Sequence, residues 1–371
     1  IEVKNQLESI QDTLLMGPGP SCVHPSVYNA LATNTIGHLD PYFINLMDQI
    51  KGYLKILMNT GNKLTIPISG TGSAGMETCF VNLLEKNDNI LILINGVFGT
   101  RMEDVASRLG ANVDVLKFKW GTPVIADDVE DQLNKKNYDL LAVVHAETST
   151  GVRNPINKIG ELIREKKTLY LVDCVTSLGG MEVKMDKWHI DALYSGTQKC
   201  LSCPPGLSPV SFSEQAVEKL NNRQTKVPNW YLDLSMITQY WSGKSRIYHH
   251  TAPINMLYGL YQACYNIIQE GMKAVFKRHM NMHNLLISEL EKIGIQILVE
   301  KQSRLPMLNT LIIPDGVNDG EIRSRLLNEY NIEIGGGLGP LTGKIWRIGL
   351  MGETAKEENI IRLIGALKNL L

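Results

Sequence analysis

Lys199 stands in Ser195-Gly196-Thr197-Gln198-Lys199, at the end of a short β-rich run and just ahead of Cys200-Leu201-Ser202-Cys203-Pro204-Pro205-Gly206. Small residues before it and two prolines after it place this amine instead of leaving it to solvent. An amine so held can have a depressed pKa and form imines with carbonyl compounds. Asp173, 26 residues earlier, closes the nearly continuous apolar run Thr168-Leu169-Tyr170-Leu171-Val172. A carboxylate buried there needs a cationic partner or stays protonated, unless it only caps the next turn. Ser69-Gly70-Thr71-Gly72-Ser73-Ala74-Gly75 follows another apolar run and opens the stretch AGMETCFVNLL. Glycines and hydroxyls at a helix N-terminus offer backbone N–H groups and the positive end of the helix dipole to a phosphate.

Taken singly, each feature has a plain alternative: a surface lysine, a turn-capping Asp, a tight turn. Gly70-x-Gly72-x-x-Gly75 is also the dinucleotide fingerprint, and a nicotinamide dehydrogenase would rest on that motif alone. The ribose-binding acid is missing, because the next strand ends in Asn95-Gly96, Glu77 lies inside the helix and Asp88 precedes the strand. The phosphate therefore survives and the dinucleotide does not. A phosphate cradle, a strand-end Asp and a loop Lys together are what a pyridoxal 5′-phosphate site requires.

Such residues need a scaffold that gathers strand ends. From about residue 64 the sequence alternates β-rich runs at 64–68, 90–94, 113–117, 139–145, 168–173, 191–195 and 207–212 with helical candidates near 73–86, 100–109, 127–135, 156–167 and 214–220. This is the pattern of an α/β fold, a seven-stranded, mostly parallel sheet with helices on both faces, whose ligands sit outside the carboxyl ends of the strands. Beyond 253 the texture changes to one long helical stretch, 254–293, then runs at 295–299, 309–313, 331–334 and 345–350 with helices at 319–329 and 356–370. The expected organisation is an N-terminal arm (1–20) punctuated by Pro18-Gly19-Pro20, a large domain (21–253), and a linking helix with a smaller α+β domain (254–371).

Composition removes several classes. Among 371 residues, 37 Lys+Arg against 38 Asp+Glu leave a formal charge of −1, so neither nucleic acid nor an anionic membrane surface is an expected partner. No apolar stretch approaches the roughly 20 residues of a membrane helix, and the first residues show no secretory pattern. Six scattered cysteines are too few for a disulfide framework and fit a reducing, cytoplasmic compartment. No metal is expected. Cys200-x-x-Cys203 lacks a second ligand pair at zinc spacing, and His279 and His283, four apart but without an HExxH glutamate, read as a solvated helix face.

Nearly the whole chain resembles the class V aminotransferases of the alanine–glyoxylate and serine–pyruvate branch. The resemblance is carried by LLMGPGPS (14–21), GHLDP (37–41), SGTGSAGMET (69–78), NGVFGTR (95–101), HAETSTGV (145–152), VDCVTSLGG (172–180), DALYSGTQKCLSCPPG (191–206), YHHT (248–251) and GGGLGP…GKIWRIGLMG (335–352). It implies a fold-type-I, pyridoxal-phosphate-dependent homodimer that moves an amino group from alanine or serine to glyoxylate or pyruvate by a ping-pong mechanism. Lys199 is then the lysine that holds the cofactor, Asp173 the partner of its ring nitrogen, and Val175 a residue packed on one ring face. Thr71, Gly72, Ser73 and Gln198 hold the phosphate, Thr148 bonds the ring hydroxyl, and Arg347 clamps the substrate carboxylate. Tyr248 and Thr251, 36 residues beyond the last large-domain strand, reach the phosphate from the neighbouring subunit. The sequence departs at two positions, with Phe98 where the animal enzymes stack a Trp on the ring and Ser73 where the family often has His. Residues 37–41 are expected near the substrate. A lyase or cysteine desulfurase on the same fold, with Cys200 or Cys203 as nucleophile, and a transaminase of hydroxykynurenine-type donors are the alternatives.

Overall fold

The computed structural model describes residues 5–243 and 245–371. Its large sheet runs in the order Leu64–Ser69, Leu207–Phe212, Ala192–Tyr194, Leu169–Asp173, Leu140–Val144, Asn89–Ile94, Asn112–Lys117. All seven expected strands are present. Leu207–Phe212 is antiparallel to both neighbours and the other pairings are parallel. The central strands Leu140–Val144 and Leu169–Asp173 are buried at every residue, which is why they read as unbroken apolar runs: helices cover both faces. Because the parallel strands share one direction, the segments after residues 69, 94, 144, 173 and 194 leave the sheet at one edge.

The helices Gly72–Leu83, Val97–Arg108, Ala126–Lys135, Ile156–Ile163 and Glu214–Asn221 fall where expected. The last glycine of the Gly70-x-Gly72-x-x-Gly75 motif is a packing residue. A Cβ there would lie 1.8 Å from Ser208 Oγ, so the helix Gly72–Leu83 can approach the sheet this closely only with glycine. Three further helices, Pro25–Leu31, Pro41–Met58 and Leu234–Trp241, were not expected. Each opens behind a capping side chain, His24, Asp40 and Asp233 respectively, and the first two have proline in the first turn.

The expected single helix over 254–293 is two helices, Ile254–Glu270 and Met272–Lys292. They break at Gly271, whose φ of +89° lies outside the helical region although the apolar spacing on either side continues unbroken. Ile254–Glu270 packs on the core of the large sheet, whereas Leu286 and Leu290 of the second helix belong to a second core. That core covers the three-stranded sheet Leu308–Ile312, Ile345–Gly349, Gly335–Gly336. The run at 295–299 contributes only an isolated bridge, Ile297 to Leu311. The run at 331–334 shortens to Ile332–Glu333, which pairs in parallel with Leu14–Leu15. Leu14 and Met16 thus complete the second core from the other end of the chain.

His279 and His283 are buried, not solvated. His279 bridges the Val275 carbonyl and the Gly352 N–H, and His283 is 2.6 Å from Asn309 Oδ1, so both rings tie their helix to the second core. The helix turns one more face inward than its spacing suggested, because the strand Leu308–Ile312 and the loop at 352 pack on it. Among the described residues, no helix is long and apolar enough to cross a membrane.

Candidate active site

At the shared strand edge lies a cavity of about 220 Å³ lined by residues from five segments, among them Thr71, Phe98, Thr148, Asp173, Gln198 and Lys199. Gly72, Ser73 and Val175 also line it. Nine of the twelve site residues inferred from sequence are therefore brought to one place. They arrive from five strand ends, as the topology dictates.

Asp173 ends its strand only 5% exposed. Its Oδ1 accepts the Val175 N–H at 2.8 Å and its Oδ2 accepts the Tyr194 hydroxyl at 2.8 Å. Burial pushes its pKa up to about 6 against the pull of those two bonds, with the Lys199 charge the smallest contribution. Among the described residues this carboxylate has no cation within ion-pair distance, and a protonated ring nitrogen is the group that would supply one. Lys199 is 8% exposed, and burial, followed by repulsion from Arg347, brings its pKa down to about 8. It is therefore an amine that gives up its proton far more readily than a surface lysine.

The helix Gly72–Leu83 begins in this cavity with Thr71 at its N-cap and no side-chain cap, leaving its first N–H groups directed at the opening. Val175 sits between two glycines, where a Cβ on Gly72 or on Gly196 would come within 3.4 or 3.3 Å of its methyls. The Gln198 Oε1 is buried without a hydrogen-bond partner. An orphaned amide here, free to present its N–H2 by a flip, fits a phosphate-bearing ligand held by the helix N-terminus. Asp173, Lys199 and this cradle together fit pyridoxal phosphate.

Arg347 is buried on the strand Ile345–Gly349, donating from Nε to the Gly336 carbonyl at 2.7 Å and from Nη1 to the Thr148 carbonyl at 3.3 Å. Burial brings its pKa down to about 10, with Glu147 opposing that shift. Among the described residues no carboxylate lies within ion-pair distance, so neither Glu333 nor Glu353 is its partner; Glu353 pairs with Lys356. Its anion must come from elsewhere.

Tyr248 and Thr251 do not line the cavity. Tyr248 is 54% exposed, its hydroxyl 3.2 Å from Thr251 Oγ1 and its ring against His38. Their loop nevertheless reaches the phosphate-side segment of its own chain, because His250 Nε2 lies 2.7 Å from Ser69 Oγ. Residues 37–41 are likewise outside the cavity and form the turn that leads into the helix Pro41–Met58, with the N-cap Asp40 accepting the Tyr42 N–H.

Sequence reasoning missed five contributors. Pro18, in the segment read as punctuation, accepts a hydrogen bond from Lys199 Nζ, and Ser21 Oγ donates to the Lys199 carbonyl at 2.7 Å. The arm thus covers the lysine, and no local signal reveals a contact between residues 181 apart. Tyr194 holds Asp173; it stood in the quoted YSGTQK run without a role. Arg101 lines the cavity with Cζ 4.9 Å from the Phe98 ring centroid, one helical turn along. Glu147 is wholly buried beside the same helix.

The profile of the aminotransferase class-V family matches residues 24–358. The chain belongs to this family. It is 40% identical to the alanine–glyoxylate aminotransferase of Rattus norvegicus over 98% of this chain and 88% of that one. It is 35% identical to the (S)-ureidoglycine–glyoxylate transaminase of Bacillus subtilis over 96% and 90%. In solved structures it resembles the alanine–glyoxylate aminotransferase of Nostoc sp., with 47% identity, all of both chains covered and a TM-score of 0.95. As a class V aminotransferase it is a pyridoxal-phosphate-dependent transaminase with the fold-type-I scaffold. The desulfurase reading loses its nucleophile, since burial pushes the pKa of both Cys200 and Cys203 up to about 12 and Cys200 Sγ donates to the Thr176 carbonyl at 3.2 Å.

Proposed function

We propose that this aminotransferase moves the amino group of a small amino acid, alanine or serine, to glyoxylate or pyruvate, working as a cytoplasmic homodimer. The observation that carries the reading is a depressed, buried lysine and an elevated, buried aspartate lining one small cavity at an uncapped helix start. When bound, pyridoxal phosphate supplies a carbonyl to accept the amino group and a ring to spread the charge left by loss of the α-proton.

The residues divide the remaining work. Lys199 would hold the cofactor through its amine and, as a base of lowered pKa, would carry a proton to and from the substrate Cα. Asp173 keeps the ring nitrogen protonated, and Tyr194 and Val175 N–H hold that carboxylate in its ionised form. Thr71, Gly72, Ser73 and Gln198 would bind the phosphate, Thr148 would bond the ring hydroxyl, and Val175 and Phe98 would pack against the ring. Arg347 takes the α-carboxylate through the planar fork of its guanidinium. Tyr248 and Thr251 serve the partner's phosphate, which their exposure in the single chain supports. The cytoplasmic assignment is supported by six unpaired thiols.

The relatives' names divide between alanine and ureidoglycine as donors, and both carry glyoxylate as acceptor. Substrate choice is therefore tested by steady-state kinetics of the purified holoenzyme against a panel of donors and acceptors. The expected result is parallel reciprocal plots with alanine or serine and glyoxylate giving the highest kcat/KM. A higher kcat/KM for ureidoglycine or an aromatic donor would displace this reading.

A further inference from the structure

The helix Val97–Arg108 carries Phe98 and Arg101 into the cavity, yet its N-cap is Gly96, which has no side chain to satisfy the helix's first N–H groups. Those groups are taken by another strand end. The Val97 N–H donates to Ser149 Oγ at 3.0 Å, and the Gly99 N–H donates to Glu147 Oε2 at 3.4 Å. Ser149 in turn donates to Glu147 Oε1 through both its hydroxyl, at 2.5 Å, and its backbone N–H, at 3.2 Å. The backbone on either side of Phe98 is thus tied to one buried carboxyl group.

The fit leaves no slack. A Cβ on Gly96 would lie 2.3 Å from Glu147 Cδ and 2.5 Å from Ser149 Oγ, so the close approach of the two segments requires glycine there. Glu147 is 0% exposed, and burying a carboxylate is unfavourable unless its oxygens are fully used. Both are used here as acceptors, at a helix N-terminus where negative charge is favoured. Asp173 faces it as a like charge and Arg347 as an opposite one. The hairpin that follows, Ala146–Glu147 paired with Val152–Arg153, holds the carboxyl in place and carries Thr148 between Glu147 and Ser149.

We propose that Glu147, acting with Ser149, is a positioning residue for transamination: the pair fixes the first turn of the helix Val97–Arg108 and so holds Phe98 against the cofactor ring. The proposal rests on the reading of Phe98 as a ring-packing residue. Glutamine cannot replace Glu147 without conflict, because one of its two acceptors becomes a donor facing a backbone donor, either the Gly99 N–H or the Ser149 N–H. Removing the Ser149 hydroxyl cuts the link to Val97 alone.

Holoenzyme and cofactor-free protein of the wild type, Glu147→Gln, Ser149→Ala, Phe98→Ala and the Glu147→Gln/Phe98→Ala double variant provide the test. In the cofactor-free protein, amide hydrogen exchange across residues 95–102 should quicken roughly tenfold in Glu147→Gln and Ser149→Ala, with the strand Leu169–Asp173 unchanged. In the holoenzyme, Glu147→Gln should lower kcat about tenfold with little change in KM and weaken the circular dichroism of the bound cofactor, and it should add less than about twofold to the loss already caused by Phe98→Ala. Unchanged exchange, or losses that add fully, overturns the proposal. An active Phe98→Ala with an undisturbed cofactor band removes instead the ring-packing role of Phe98 on which it rests. If Glu147→Gln does not fold, Ser149→Ala and its double variant with Phe98→Ala carry the same comparison.

Discussion

The Tyr194 hydroxyl donates to Asp173 Oδ2 at 2.8 Å, and both groups are buried. This bond and the one from the Val175 N–H stabilise the ionised carboxylate, while burial drives its pKa up to about 6 from an ordinary value of 3.8. For a raised acid, the stabilisation is present below the unfolded pKa and is lost as pH rises through the folded one. In the cofactor-free protein, Asp173→Asn should therefore unfold at a higher temperature than the wild type at pH 7 to 8. The advantage, of order 1–3 kcal/mol, should disappear toward pH 4. Pyridoxal phosphate should stabilise the wild type more than Asp173→Asn, and turnover of the variant should fall by orders of magnitude. A pH-independent difference in unfolding temperature would show that Asp173 acts only as a turn cap.

Lys199 should carry the cofactor covalently, so borohydride reduction and peptide mapping should place the pyridoxyl group on its peptide and on no other. The arm gives a second handle on the same amine. Gly19 has φ +106°, and a Cβ there would lie 2.7 Å from Lys199 Nζ. Gly19→Ala must therefore displace the lysine or the arm, and should reduce kcat about tenfold while leaving the folding of the large sheet intact. Wild-type kcat in that variant would mean that the arm covers the lysine without constraining it.

Completion of the site across subunits is tested by complementation. Chains carrying Lys199→Ala and chains carrying Tyr248→Phe with Thr251→Ala should each be nearly inactive alone. Mixed by co-expression, they should regain up to about half the wild-type activity per heterodimer, since one site then draws every group from an unaltered position. If Tyr248 and Thr251 serve their own chain, the mixture stays at the level of the parents. The contact of His250 with Ser69 makes this a real contest, because it places the same loop beside its own chain's phosphate segment.

The sheet was legible because its strands are covered on both faces, so that LLAVV and LYLVD announce themselves as apolar runs and the informative residues follow directly after them. Asp173 and Lys199 could be found for that reason. Glu147 could not: it sits in a polar stretch, His145-Ala146-Glu147-Thr148, and only the folded chain shows that its carboxyl replaces the missing cap of a helix about 50 residues earlier. The arm over Lys199 depends on a contact across nearly half the chain, which no local pattern encodes. The break at Gly271 was missed because apolar spacing persists through it and a lone glycine inside a helical pattern is ordinarily tolerated. His279 and His283 misled for a related reason, since a helix packed against two elements buries more of its circumference than one amphipathic stripe indicates.

Arg347 gives the sharpest separation of a catalytic from a structural role. Its guanidinium is buried between the Gly336 and Thr148 carbonyls, neither of which neutralises it, and the buried acid whose charge acts on it, Glu147, is already occupied by Ser149 and the Gly99 N–H. A buried cation held only by carbonyls is one that an incoming carboxylate can stabilise, and the fork presents two parallel donors to it. Arg347→Lys keeps the charge and loses the fork. The cofactor spectrum and unfolding temperature should be retained, while kcat/KM falls at least about tenfold for donor and acceptor alike, because amino acid and 2-oxo acid present the same carboxylate. A loss confined to one substrate would place Arg347 at a side-chain pocket. A drop in unfolding temperature with kcat/KM unchanged would assign it to packing of the strand Ile345–Gly349 against the hairpin that carries Thr148.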